Sequence, residues 1–406
     1  MTDFPPCYVL GLETQIGLAL VRELGASGIP VIGIAQDESA VGLASRFLRA
    51  GVHVDNLRSD SGIAAIKALG DKYGPGVMLA VSEVNIAWLI RHRSDFGMIR
   101  PLVPDAETFT RVIDKKITLE LASSLGINVP RSTQPNTWDD VEKLVREFPF
   151  PAVMKWADPA KVMKRLSEHG IPLEKAEYVN TPAEFLAAAT RYRGVGVWPL
   201  IQEYCAGTGL GQFFFMHKGE AIRRFQHIRI AEWPPEGGFS SVCDAVPLDR
   251  FVDLQELSIA LLRKIGWEGV AMVEYRFDPQ TGRAVLMEIN GRFWGSYPLA
   301  KACGAGFGLL SYRVLGLGED WRPASQPLAN MRCRMMSTEL KRLFRIILQP
   351  NKIRDQSFVI APWKEFARFV SDYFRQNVCY YVWSWRDPKP FISDIQNMLS
   401  QLIKKK

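Results

Sequence analysis

Gly269-Val-Ala-Met-Val-Glu274-Tyr-Arg-Phe-Asp-Pro-Gln-Thr-Gly-Arg-Ala-Val-Leu-Met-Glu288-Ile-Asn290-Gly-Arg292 reads as a β-hairpin that gathers two carboxylates, an amide and a guanidinium onto one surface. The first arm, Val270 to Phe277, is rich in β-branched and aromatic residues. Asp278-Pro279-Gln280-Thr281-Gly282 supplies turn chemistry, and Ala284 to Ile289 makes the return arm. Pairing symmetric about Thr281 sets Glu274 opposite Glu288, with Asn290 on the same face two residues on. Like charges directly across a sheet are destabilising unless a cation lies between them. Hard oxygen ligands of this kind suit Mg²⁺, whose shell substrate phosphates can complete. The alternative is a solvated hairpin face with incidental acids. Asn290 and Arg292, both within four residues of Glu288, favour the metal–phosphate reading.

The 406 residues leave room for two or three domains and more than one core. No apolar run reaches the roughly 18 residues of a membrane span. The opening Met-Thr-Asp-Phe-Pro-Pro has neither the basic nor the apolar region of a signal peptide. Six scattered cysteines without Cys-x-x-Cys spacing argue against a zinc site or a disulfide framework, and five dispersed histidines against a zinc hydrolase. These features predict a cytoplasmic protein. The charge is uneven: residues 331–406 carry 15 Lys and Arg against 6 Asp and Glu, a net +9, whereas the whole chain is +7. The basic character therefore belongs to the tail.

Cys7 to Gly11 reads as an apolar strand, Leu18 to Gly25 as a helix, and Ile29 to Ile34 as the next strand, an order that implies a parallel sheet. The Gly11…Gly17 pattern lacks the Gly-x-Gly-x-x-Gly spacing of a dinucleotide site. Val77 to Ser82 is another buried strand, with Ser82-Glu83 at its carboxyl end. A helical stretch runs from Glu107 to Leu125. Pro151 to Trp156 is a short strand ending on Lys155; Trp198 to Tyr204 and Gly211 to Met216 are further strands, the second turning at His217–Glu220 into Ala221 to Arg224. The glycine-bearing Ala206 to Gly211 reads as a turn. In the tail, Leu340, Leu343, Phe344 and Ile347 share one helical face, as do Phe366, Phe369, Val370, Tyr373 and Phe374. Lys341, Arg342, Arg345, Lys364, Arg368 and Arg375 lie opposite.

Asp114-Lys115 opening a helix, Met154-Lys155 ending a strand, Ile201-Gln-Glu203-Tyr204, and the Glu274…Glu288-Ile-Asn290-Gly-Arg292 hairpin follow a Rossmann-like start. This succession resembles the ATP-grasp superfamily, the group of biotin carboxylase, D-alanine–D-alanine ligase and the carbamoyl phosphate synthetase large subunit. The likeness runs from about residue 7 to 318. Met287-Glu-Ile-Asn-Gly-Arg-Phe-Trp-Gly-Ser296 and Ser384-Trp-Arg-Asp-Pro-Lys-Pro390 resemble its carboxylate–amine ligase-like members. The resemblance implies a fold that is α/β and α+β: a Rossmann-like pre-ATP-grasp domain over 1–108, a two-lobed ATP-grasp domain over 109–318 with lobes 109–197 and 198–318, and a basic helical C-terminal extension over 319–406.

By the same resemblance, Lys115 and Lys155 reach ATP phosphates, and Glu203 with Tyr204 lies beside the adenine and ribose. Glu274, Glu288 and Asn290 hold Mg²⁺, or Mn²⁺ in its place. Arg292 and Arg229 are the catalytic candidates, the first steadying the phosphoryl group or substrate carboxylate and the second lying near the acyl phosphate. Lys116 competes with Lys115, and Arg223, Arg224 and His227 share a strand with Arg229. Superfamily members commonly carry a glycine-rich phosphate loop after the second lysine. Trp156 to Arg165 has no glycine, leaving Lys161 or Lys164 as substitutes.

Joining a carboxylate to an amine in water needs a better leaving group than oxide. Phosphoryl transfer from ATP supplies one, and it asks chiefly for cations around the moving phosphoryl group. The expected activity is thus an ATP- and Mg²⁺-dependent carboxylate–amine ligase acting on small-molecule substrates. A bicarbonate-phosphorylating enzyme, a non-catalytic ATP sensor and an NAD-dependent dehydrogenase are the competing readings. Trp294 and Tyr297 are candidates to line an acceptor site. The amphipathic tail is expected to pack on its own protein, with peripheral contact to an anionic membrane as the alternative and nucleic acid disfavoured by Asp355, Glu365, Asp372 and Asp387. A homodimer is compatible with the sequence.

Overall fold

The computed structural model describes residues 4–156, 159–174, 176–235, 237–353 and 358–404. Its N-terminal part is the parallel sheet that the alternation of apolar strands and helices predicts. Strands β1 (Cys7–Leu10), β2 (Val31–Ala35), β3 (Ala50–His53), β4 (Gly76–Ala80) and β5 (Ile99–Pro101) align in the order β3-β2-β1-β4-β5. Helices α1 (Gln15–Ala26), α2 (Asp60–Tyr73) and α3 (Glu83–Arg91) connect them. β1, β2 and α1 are buried almost throughout, as befits a sheet covered on both faces. Gly17 belongs to packing: a Cβ there would sit 2.3 Å from the Gly11 carbonyl oxygen.

The expected helix over Glu107–Leu125 is two helices, α4 (Ala106–Ile113) and α5 (Lys115–Ser123). Asp114 breaks it. Its backbone is extended, and its carboxylate caps α5 by accepting hydrogen bonds from the backbone N–H groups of Lys116 and Ile117. Strands β6 (Ser132–Thr133), β7 (Ala152–Lys155), β8 (Glu177–Val179) and β9 (Leu200–Glu203) then form a small antiparallel sheet, order β6-β9-β7-β8. It is backed by α6 (Trp138–Glu147) and α8 (Pro182–Thr190) around their own core of Phe148, Phe185, Ile201 and neighbours, with α7 (Pro159–Glu168) following β7. β9 bonds to β6 and β7, so residues 200–203 belong to this small sheet.

The third sheet has seven strands, ordered β14-β13-β10-β11-β12-β15-β16. They are β10 (Thr208–His217), β11 (Glu220–Trp233), β12 (Phe239–Ala245), β13 (Gly269–Phe277), β14 (Ala284–Asn290), β15 (Arg332–Arg334) and β16 (Val378–Tyr380). Around it lie α9 (Val252–Ile265), α10 (Tyr297–Ala302), α11 (Phe307–Leu310), α12 (Met336–Leu348) and α13 (Pro362–Ser371), while α14 (Lys389–Lys404) packs on the N-terminal part near Val41–Ala44. The C-terminal region is helical but does not stand apart at residue 319, because β15 and β16 complete this sheet. Thr208 to Gly211, expected as a turn, is already strand.

The tail also clamps the first domain. Asp387, within the Ser384–Pro390 segment, is almost fully buried and accepts hydrogen bonds from Arg22 Nε (2.9 Å), Ser45 Oγ (2.7 Å) and the Arg46 backbone N–H (3.0 Å). A second bridge joins buried Glu23 on α1 to the Tyr297 hydroxyl, which itself accepts from the Gly308 N–H. Trp294 and Tyr297 are therefore core residues, almost without exposure, and do not line an acceptor site. Trp294 stacks on Phe213 at 4.1 Å. No described helix is long and apolar enough to cross a membrane.

Candidate active site

The hairpin β13–β14 places Glu274 directly opposite Glu288, and Met272 opposite Asn290. Near the turn, however, the register is Tyr275 to Leu286, one residue shorter. Met287 is thus an extra residue, and this bulge brings the two carboxylates into line. The row continues across the sheet: Glu274 pairs with Gly211 on β10, and Gly211 with His227 on β11, so Glu288, Glu274 and His227 share a face.

The side chains from β11 lie over β10 because β10 has glycines there. A Cβ on Gly209 would sit 2.5 Å from Arg229 Cδ, and one on Gly211 would sit 2.7 Å from His227 Nε2. Arg229 uses this opening to reach Glu274 at 2.6 Å while also holding Glu232 at 3.0 Å. Arg276 pairs with the other Glu232 oxygen at 3.2 Å. Burial alone would lower the Arg229 guanidinium, yet Glu274 and Glu232 hold it above its ordinary value. The neighbours of Arg229 are engaged elsewhere: Arg223 donates to the carbonyls of Gly304, Ala305 and Ser325, and Arg224 pairs with Glu256.

Glu288 meets different cations. Lys115 Nζ, at the first position of α5, lies 3.0 Å from Glu288 Oε2, whereas Lys116 is exposed. Burial pushes the Glu274 carboxyl up; Arg229 opposes that shift and Glu288 adds to it. Burial acts the same way on Glu288, but Lys115 and the hydrogen bonds from Lys115 and Asn290 outweigh it and hold that carboxyl down at about 2. Asn290 Nδ2 donates to Glu288 Oε1 at 3.2 Å. Arg292 donates to Asn290 Oδ1 (3.0 Å) and pairs through Nε with Glu83 (3.1 Å), the residue that opens α3 at the carboxyl end of β4.

Lys155 comes in from the small sheet. Its ammonium donates to Gln202 Oε1 at 3.0 Å, and burial, then Lys115, push it down to about 8 against the pull of Glu288. Seven of the residues proposed from sequence thus converge: Lys115, Lys155, Arg229, Glu274, Glu288, Asn290 and Arg292. Glu203 ends β9 and Tyr204 opens the connection to β10. Glu203 pairs with Arg283 at 2.9 Å and accepts from the Arg131 N–H, and Tyr204 meets the Tyr178 ring edge-on. In the sequence Glu232 and Gln202 carry no role, His227 is only a strand neighbour of Arg229, and Gly209 and Gly211 form part of a turn. Only the alternating glycines of β10 carried a signal, since glycine inside a strand marks a close approach.

A cavity of about 60 Å³ opens beside Glu288, lined among others by Glu83, Lys115, Thr118, Met287 and Asn290. No group of three or more His, Cys, Asp or Glu among the described residues is placed to hold a metal. Two opposed carboxylates and an amide nonetheless fit Mg²⁺, which binds through one or two carboxylates plus phosphates and water. In the chain alone, Lys115 and Arg229 supply the countercharge. Helix α7 stands where a glycine loop was sought; the Lys161 side chain, like Asp355, lies outside the described residues.

The surrounding sequence matches the family profile "Carbamoyl-phosphate synthase L chain, ATP binding domain" over residues 244–319. Solved structures share the architecture at low identity. A Campylobacter jejuni biotin carboxylase, in a β,γ-ATP complex, superposes with a TM-score of 0.61 at 14% identity, covering 81% of this chain and 74% of its own. The biotin carboxylase domain of Hydrogenobacter thermophilus 2-oxoglutarate carboxylase, captured with MgADP and bicarbonate, gives 0.60 at 14%, covering 82% and 74%. An L-amino acid ligase from Bacillus licheniformis gives 0.56 at 13%, covering 80% and 78%. No curated protein is similar in sequence at a significant level. The fold is that of the ATP-grasp superfamily.

Proposed function

We propose that the protein is an ATP- and Mg²⁺-dependent ligase that joins a small-molecule carboxylate to an amine. The observation that carries this reading is the approach of Lys155, from the small four-stranded sheet, to Lys115 of α5 and to Glu288 and Glu274 of the seven-stranded sheet, where Arg229 holds Glu274. Bound divalent cation would supply charge neutralisation between nucleotide phosphates and carboxylates. Glu274 and Glu288 with Asn290 would hold it. Lys115 is shared: a nucleotide phosphate competes with Glu288 for its ammonium, freeing that carboxylate for the cation. Lys155 and Arg229 then flank the moving phosphoryl group.

The substrate carboxylate attacks the γ-phosphorus, the bond to the β-phosphate oxygen breaks, and ADP leaves. The amine attacks the acyl carbon of the acyl phosphate, phosphate departs with the carbon–oxygen bond, and the amine loses a proton. None of this requires a side-chain nucleophile. The likeness to enzymes named for bicarbonate-dependent carboxylation supports a second reading, in which bicarbonate is the acid phosphorylated. Calorimetry of ATP with and without Mg²⁺, on wild type and Glu288→Gln/Asn290→Ala, tests the site. Metal-dependent binding lost in the double variant is expected; tight binding indifferent to both would point to a sensor. ADP release with bicarbonate alone, against release only with acid–amine pairs, separates the two activities.

A further inference from the structure

We propose that the face formed by α12 and α13 docks onto an anionic lipid bilayer. An amphipathic helix ordinarily turns its apolar stripe to the core. These two helices do the reverse. On α12 the buried side chains include Glu339 and Arg342; on α13 Glu365 and Arg368 turn inward, and Asp372 follows them. Their charged sides meet beneath the surface: Arg342 pairs with Glu365 at 2.8 Å, Arg368 with Glu339 at 3.0 Å, and Glu339 also with buried Arg334 at 2.8 Å. The apolar side is left outward. Phe344, Ile347 and Leu348 are exposed on α12, and Trp363 (82%), Phe366 and, just past α13, Phe374 (84%) are exposed beside them. A contiguous apolar surface of this kind marks a contact site.

The charge on this face selects the partner. Of the described acids in the tail, Glu339, Asp372 and Asp387 are buried and Glu365 and Asp394 half-buried, while Lys341, Lys352, Lys364 and Arg375 are exposed. The exposed charge of the described tail is therefore cationic, among aromatic rings. A second copy meeting this face would set like charges together. An anionic bilayer accepts both features: rings at the headgroup–acyl boundary and ammonium groups against lipid phosphates.

The test is flotation of the full chain with vesicles of phosphatidylcholine alone and of equal parts phosphatidylcholine and phosphatidylglycerol. Binding to the anionic vesicles only, weakening with salt, is expected. Trp363→Ala/Phe374→Ala and Lys352→Glu/Lys364→Glu should each lower partitioning by at least about tenfold. Their melting temperatures should match wild type, because all four side chains are exposed. Wild type that ignores anionic vesicles, or floats equally with neutral ones, overturns the proposal. So does a dimer in sedimentation that Trp363→Ala/Phe374→Ala splits, which would make a second copy the occupant.

Discussion

Arg229 on β11 crosses the neighbouring strand β10, passing over Gly209, to meet Glu274 on β13 at 2.6 Å. The crossing exists only because β10 has no side chain at that point. Gly209→Ala should therefore act on Arg229 rather than on the strand, whose backbone tolerates alanine. Overpacking of this sort costs about 1–3 kcal/mol. ATP turnover should fall much further than the melting temperature does. Arg229→Ala is the harsher change, leaving Glu274 buried without its cation while Glu232 keeps Arg276, at about 3–5 kcal/mol. Thermal melting beside steady-state ADP release distinguishes the two effects. Equal turnover in Gly209→Ala and wild type would show that the crossing is not needed.

Lys155 is held at about 8 by burial and Lys115, so in the free protein it is largely neutral above that pH. A nucleotide triphosphate beside it stabilises the ammonium and raises its pKa. Binding ATP above pH 8 should thus take up close to one proton at Lys155, and binding well below it should take up none there. Calorimetry in two buffers of different ionisation enthalpy reads the number directly. Lys155→Met should abolish the uptake and weaken ATP binding, whereas uptake unchanged in that variant would move the lysine away from the phosphates.

The opposed carboxylates give the metal a pH dependence. Glu288 is ionised across the working range, its carboxyl held at about 2, while burial pushes Glu274 up. A divalent cation needs both charged. Its affinity should therefore rise as pH climbs through the raised Glu274 value and level off above it. Glu274→Gln should flatten that rise and lower Mg²⁺-dependent ADP release by about 10²-fold or more, the scale for losing a charge-stabilising group. Mn²⁺ titrations at several pH values would show the same curve; a profile identical in Glu274→Gln and wild type would remove Glu274 from the metal site.

Much of this was legible because the hairpin states its own chemistry. Glu274 opposite Glu288 follows from turn residues and β-propensity, although symmetry about Thr281 held only by way of the Met287 bulge, which no residue type announces. The choice between Lys115 and Lys116 was open in the sequence and is made by the contact of Lys115 with Glu288. Long-range relations were not legible. That Glu232 backs Arg229, that Gln202 holds Lys155, and that Trp294 stacks in the core all depend on strand neighbours far apart in sequence. The tail misled in a particular way. Its apolar periodicity predicted helices correctly, but periodicity cannot say which face turns inward, and here buried Arg–Glu pairs occupy the inner side.

Asp387 ties the last helix of the chain to the first. The carboxylate faces Arg22, itself buried, so neither charge has water to turn to. Breaking one partner of such a pair costs about 3–5 kcal/mol, because the other is left uncompensated. Asp387→Asn should accordingly lower the melting temperature by several degrees and increase protease cutting between the tail and the body. Arg22→Met/Asp387→Asn should recover more than half of that loss, since the stranded guanidinium is gone while the amide still accepts from Ser45 or Arg46. A single variant that melts like wild type would mean that the Asp387 pair is not what holds the tail in place.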